Sequence, residues 1–102
     1  MRLLALALLA LLPASACVEH VVSQKGKVLS KTALDVKAGE RVTFRNDDAV
    51  AHNVFSATPG FSFNLKTQAP NTESHATFDK AGTVEVRCAF HPTMKLTVHV
   101  KP

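Results

Sequence analysis

Cys88-Ala89-Phe90-His91-Pro92-Thr93-Met94 sets a thiol, an imidazole and a thioether within seven residues. Two soft sulfurs and a ring nitrogen at this spacing suit copper, since soft ligands and imidazole favour that metal. A trigonal site of two histidines and one cysteine needs a second imidazole. His52, in Val50-Ala51-His52-Asn53-Val54, is the candidate. Pro92 fixes its own φ and restricts His91, which stiffens the short loop. Other chemistries compete for the same residues. Cys88, His52 and His91 could hold zinc, but a structural zinc site takes four ligands and thioether is a poor one. A Cys88–His91 hydrolase would need an oriented base and an oxyanion pocket, and no motif supplies either. A disulfide between Cys17 and Cys88 is the ordinary expectation for two cysteines in an exported chain. The surroundings of Cys88 give it a better use.

The elements that must position these groups read as strands. Arg41-Val42-Thr43-Phe44-Arg45 alternates, with Val42 and Phe44 on one face. Thr83 to Cys88 alternates too, putting Val84, Val86 and Cys88 on one side, and Leu96, Val98 and Val100 follow the same rule. Val28 to Val36, Ala51 to Ser56, Phe61 to Leu65 and His75 to Phe78 are further strand candidates. Turn residues at Lys37-Ala38-Gly39-Glu40, Asn46-Asp47-Asp48, Thr58-Pro59-Gly60 and Asp79-Lys80-Ala81-Gly82 separate them. No window after the first sixteen residues carries a helical period. Many short strands with closely spaced turns predict an all-β, antiparallel sandwich or barrel of seven or eight strands.

Length and composition bound the rest. The chain has 102 residues, room for one domain, and its 46% hydrophobic and 20% charged content argues against disorder. Arg2, the ten-residue apolar run Leu3–Leu12, the breaker Pro13 and Ala14-Ser15-Ala16 read as a secretory signal peptide cut after residue 16. The run is too short to span a bilayer, which takes ~20 residues. The protein is therefore expected to be exported to the periplasm. The alternative is a lipoprotein signal, with a lipid anchor on Cys17. Residues 17–27 form an N-terminal segment with a candidate edge strand, and residues 28–102 the domain proper.

Twelve Lys and Arg against eight Asp and Glu give +4, interleaved rather than clustered. That pattern excludes a nucleic-acid face of the usual basic kind. His20, His75 and His99 read as ordinary surface or half-buried histidines. Arg41, Arg45, Arg87 and Lys95 read as outward strand positions.

His52-Asn53-Val54, followed by Cys88-x-x-His91-x-x-Met94 before a terminal strand, resembles the cupredoxins, the blue copper proteins, over roughly Val28 to Val100. The spacing within the ligand loop is similar to that of the amicyanin group. The resemblance implies a Greek-key β-sandwich with one type 1 copper held by His52, Cys88, His91 and an axial Met94. It implies a one-electron carrier rather than an enzyme, with redox partners such as a c-type cytochrome or a periplasmic oxidoreductase. It makes His91 the solvent-edge ligand, with Ala89, Phe90, Pro92 and Pro59-Gly60 as its apolar rim. The alternative is a copper-binding or carrier protein without an electron-transfer role. Against it, Met94 is the sole methionine after Met1, whereas such carriers display several. Two positions depart from the family pattern. Val86 stands where many members have an aromatic. Ala89 stands where many have a Ser or Thr that bonds the Asn beside the first histidine. Asn53 is therefore expected to bond backbone groups of the ligand loop.

Overall fold

The computed structural model describes residues 18–102. The expected signal peptide and Cys17 lie outside the described residues. Nine strands form two facing sheets: β1 Glu19–Lys25, β2 Val28–Leu29, β3 Ala33–Lys37, β4 Arg41–Asn46, β5 Val54–Ser56, β6 Phe63–Asn64, β7 Glu73–Thr77, β8 Gly82–Cys88 and β9 Lys95–Lys101. One sheet has the order β2-β1-β4-β7, the other β3-β9-β8-β5-β6. The expected all-β sandwich is present. Among the described residues it has nine strands rather than seven or eight, because the single candidate Val28–Val36 divides into β2 and β3, which join different sheets.

The sheets are mixed, which corrects the antiparallel expectation. β1 pairs with β4 in parallel over six residues, and β3 pairs with β9 in parallel over five. The reason lies in the connections. After the β1–β2 hairpin the chain crosses to the other sheet as β3, then returns as β4 beside β1. A hairpin forces antiparallel neighbours, whereas a crossing between layers does not. The segment read as a candidate edge strand is inside its sheet, since β1 lies between β2 and β4.

The core follows from the alternation. Val84, Val86 and Cys88 of β8 point inward with Leu96, Val98 and Val100 of β9, and all six are at most 4% exposed. Val22, Val42 and Phe44 close the opposite wall with no exposed surface. Burying each such aliphatic side chain contributes ~1.5–3 kcal/mol. That row carries the site's sulfur, because Cys88 is the last inward residue of β8. The close-packed sandwich thus ends in a buried thiol, a group whose thiolate can bind metal.

Candidate metal centre

Cys88 is fixed first. Val54 pairs with Cys88 across β5 and β8, which brings the segment Ala51–Asn53 alongside the thiol. The Asn53 backbone N–H donates to Cys88 Sγ at 3.4 Å. The Ala89 N–H donates to the Asn53 carbonyl at 2.8 Å, tying the start of the ligand loop to the strand that follows His52. The Cys88 thiol is free and 3% exposed. The thiolate is the form that binds metal.

His52 precedes β5 and is held by a two-way backbone bridge with Gln68. Its N–H donates to the Gln68 carbonyl at 3.1 Å, and the Gln68 N–H donates to the His52 carbonyl at 2.7 Å. The imidazole has no exposed surface. Its Nε2 lies 3.0 Å from Asp48 Oδ2. An ionised carboxylate only accepts, so Nε2 is the donor of this contact, and in the neutral ring that leaves the lone pair on Nδ1. Asp48 is held well below the usual carboxylate range. The Lys27 backbone N–H is the main cause, followed by the bond with His52.

His91 comes from the loop between β8 and β9. The Met94 N–H donates to the His91 carbonyl at 2.9 Å, and the Cys88 N–H to the Met94 carbonyl at 3.3 Å. These two bonds curl residues 88–94 into a compact turn that aims His91 back at Cys88. Cys88 Sγ is 3.5 Å from His52 Nδ1 and 3.8 Å from His91 Nδ1, and the two Nδ1 atoms are 3.1 Å apart. The imidazole rings meet edge to face with centroids 4.8 Å apart.

The donor chemistry can be tested against a metal. The circumcentre of a triangle with sides of 3.1, 3.5 and 3.8 Å lies about 2.0 Å from each corner. That distance is close to the ~2.0–2.3 Å of bonds from a first-row metal such as zinc to imidazole and thiolate. Two ring nitrogens and a thiolate, each offering an electron pair to one point, repel one another unless a cation sits between them. One sulfur and two nitrogens in a trigonal arrangement match copper among the common metals. Of the four residues expected at the site, His52, Cys88 and His91 converge. Met94 is 2% exposed at the end of the same turn and belongs to the core cluster that includes Cys88.

Other expectations need correction. Asn53 does not turn its amide to the ligand loop. With Ala89 offering no hydroxyl, Asn53 Nδ2 donates instead to Asn64 Oδ1 at 2.8 Å and to the Lys66 carbonyl at 3.2 Å. Its backbone, not its side chain, reaches the ligand loop: the carbonyl accepts from the Ala89 N–H and the N–H donates to Cys88 Sγ. Pro59-Gly60 is not part of the rim. Gly60 lies against Lys80, just before β8 begins, and Cys88 is at the other end of that strand. At ~3.3 Å per residue the two ends are ~20 Å apart. Ala89, Phe90 and Pro92 of the ligand loop are all exposed, Phe90 by 50%, and Val50, two residues before His52, is 38% exposed.

Sequence reasoning missed the supports behind His52. Asn46, with no exposed surface, donates to the Val50 and Gln68 carbonyls, both at 2.9 Å, and accepts from the Asp48 N–H. Gln68 Nε2 donates to the Phe44 carbonyl at 2.7 Å, and Gln68 Oε1 accepts from buried Gln24 at 2.8 Å. Polar residues at inward positions, Asn46 and Gln24, were the available signal.

Comparison with known proteins agrees with this geometry. Residues 16–101 match the family described as copper binding proteins, plastocyanin/azurin family. The methylamine utilization protein MauL of Methylorubrum extorquens is 32% identical over 73 residues, 71% of this chain. The match spans 64% of that relative's length. A copper(I) structure of a methionine-to-alanine variant of amicyanin superposes with a TM-score of 0.75 at 27% identity, covering 87% of this chain and 86% of that one. A purple cupredoxin from Nitrosopumilus maritimus superposes with a TM-score of 0.72 at 23% identity, covering 80% of this chain and 99% of that one, a likeness of fold alone. The family match over most of the chain, together with the amicyanin superposition, shows that this chain belongs to the plastocyanin/azurin family of copper-binding proteins and resembles amicyanin within it.

Proposed function

We propose that the protein is a one-electron carrier, with one copper that His52, Cys88, His91 and Met94 would hold. The observation that carries this reading is the convergence of His52 Nδ1, Cys88 Sγ and His91 Nδ1 within a part-exposed turn on a rigid sandwich. Copper in that set supplies a one-electron couple, because two imidazoles and a thiolate are acceptable to both oxidation states. The chain's own residues do the rest. The His52–Gln68 bridge and the β5–β8 pairing hold two donors in place whichever charge the metal carries, so little nuclear rearrangement accompanies electron transfer. His91 is the donor nearest solvent. Phe90 and Val50 give it an apolar margin, which suits brief encounters with a redox protein such as a c-type cytochrome or another periplasmic oxidoreductase. Such encounters use small interfaces.

The mature chain is proposed to act in the periplasm after loss of residues 1–16, with lipidation of Cys17 as the alternative. It transfers electrons without converting a substrate. Cyclic voltammetry of the copper-loaded protein, followed by incubation with an apo copper acceptor, tests the reading. A reversible one-electron wave with the metal retained is expected. Transfer of copper to the acceptor without a reversible wave would make the protein a copper carrier instead.

A further inference from the structure

The β1–β2 hairpin reaches the metal donors through a single carboxylate. Gly26 and Lys27 both have left-handed backbones, with φ of 63° and 60°, the conformation of a tight two-residue hairpin turn. That turn directs the Lys27 N–H at Asp48 Oδ2, 2.8 Å away. The Ala49 N–H donates to the other oxygen, Oδ1, also at 2.8 Å. Held at both oxygens, the carboxylate keeps Oδ2 3.0 Å from Nε2 of the fully buried His52, and is itself only 12% exposed.

We propose that Asp48, fixed by the β1–β2 turn, is a positioning residue that presents His52 to copper through Nδ1 and lowers the reduction potential of the site. This rests on the metal-site reading above. An imidazole that can place its proton on either nitrogen loses donor strength at the wrong one. A carboxylate at Nε2 removes that choice and makes the ring a stronger donor. The negative charge beside one ligand also favours Cu(II), which carries one more positive charge than Cu(I). The β1–β2 hairpin, peripheral in sequence, is thereby linked to the proposed metal site.

The test has three arms. Long-range ¹⁵N–¹H correlation spectra of the apoprotein should show His52 protonated at Nε2 alone. A proton on Nδ1, or a mixture, would overturn the proposal. Asp48→Asn keeps the shape and an acceptor oxygen but removes the charge. It should keep the visible band of the Cu(II) form while lowering the ratio of Cu(II) to Cu(I) affinity about tenfold, a rise of ~59 mV for a one-electron couple. An intact band with an unchanged potential would overturn the electrostatic role. Asp48→Ser repeats that measurement if the Asn variant misfolds, with the same two outcomes. Failure of the metal-site reading would look different: the wild-type protein would give no visible band with Cu(II), whatever the His52 proton does.

Discussion

Cys88, His91 and Met94 announce themselves because sulfur and imidazole are scarce in this chain and fall three residues apart. Asp48 does not, because its role depends on a hairpin turn twenty residues earlier that folds over it. In sequence it is one of three polar residues in Asn46-Asp47-Asp48, indistinguishable from a solvated turn. Met94 can be examined alone. Replacing it with Leu conserves volume, so packing should cost under ~1.5 kcal/mol. A thioether donates weakly to copper and an alkyl group not at all. Met94→Leu should therefore keep copper and raise the reduction potential, while Met94→Gln, with a harder amide oxygen, should lower it. A tenfold change in relative stability is ~59 mV, readily seen by voltammetry. Copper loss in the Leu variant would make Met94 a principal ligand. No shift in either variant would leave it a core residue only.

At the level of elements, the strands that carry the site were legible from period-two alternation, and β8 and β9 match it residue by residue. Which strands neighbour one another was not. Alternation reports which face is buried and says nothing of the partner, so the parallel β1–β4 and β3–β9 pairings appear only in three dimensions. The polar support beneath His52 was hidden for a related reason. Gln68 lies in the segment between β6 and β7, where glutamine is expected at the surface, yet it is 3% exposed. Its amide serves the Phe44 carbonyl and Gln24 at once. Gln68→Leu fills the space but strips partners from buried polar groups, which should cost about 1–3 kcal/mol. For a domain of this size that is roughly a 4–8 °C fall in melting temperature per kcal/mol. Thermal unfolding of the apoprotein checks it. The same variant should hold copper more loosely, because it loses the side-chain bonds that anchor the segment whose backbone bridges His52.

For the whole molecule, acid stability follows from carboxylates that tie distant segments together. Glu19 is held below its ordinary value chiefly by the Thr43 hydroxyl, and Glu40 chiefly by the Lys37 backbone N–H, then by His20. Asp47 is lowered chiefly by the Ser23 hydroxyl. Each binds its proton more weakly when folded than when unfolded. Their contribution is therefore complete above the unfolded values near ~4 and is lost as pH falls through the folded ones. Urea unfolding of the apoprotein should give a flat midpoint from pH 5 to 7 and a falling one below pH ~4. A midpoint that held steady to pH 3 would contradict this. The central claim concerns the trio at one end of the sandwich, and one measurement addresses it most directly: the visible absorption spectrum after adding one equivalent of Cu(II) to the apoprotein and to Cys88→Ser. The wild-type protein should develop an intense thiolate-to-copper band and turn blue or green, and the Ser variant should show none. An equal band in both, or none in the wild type, would contradict the site.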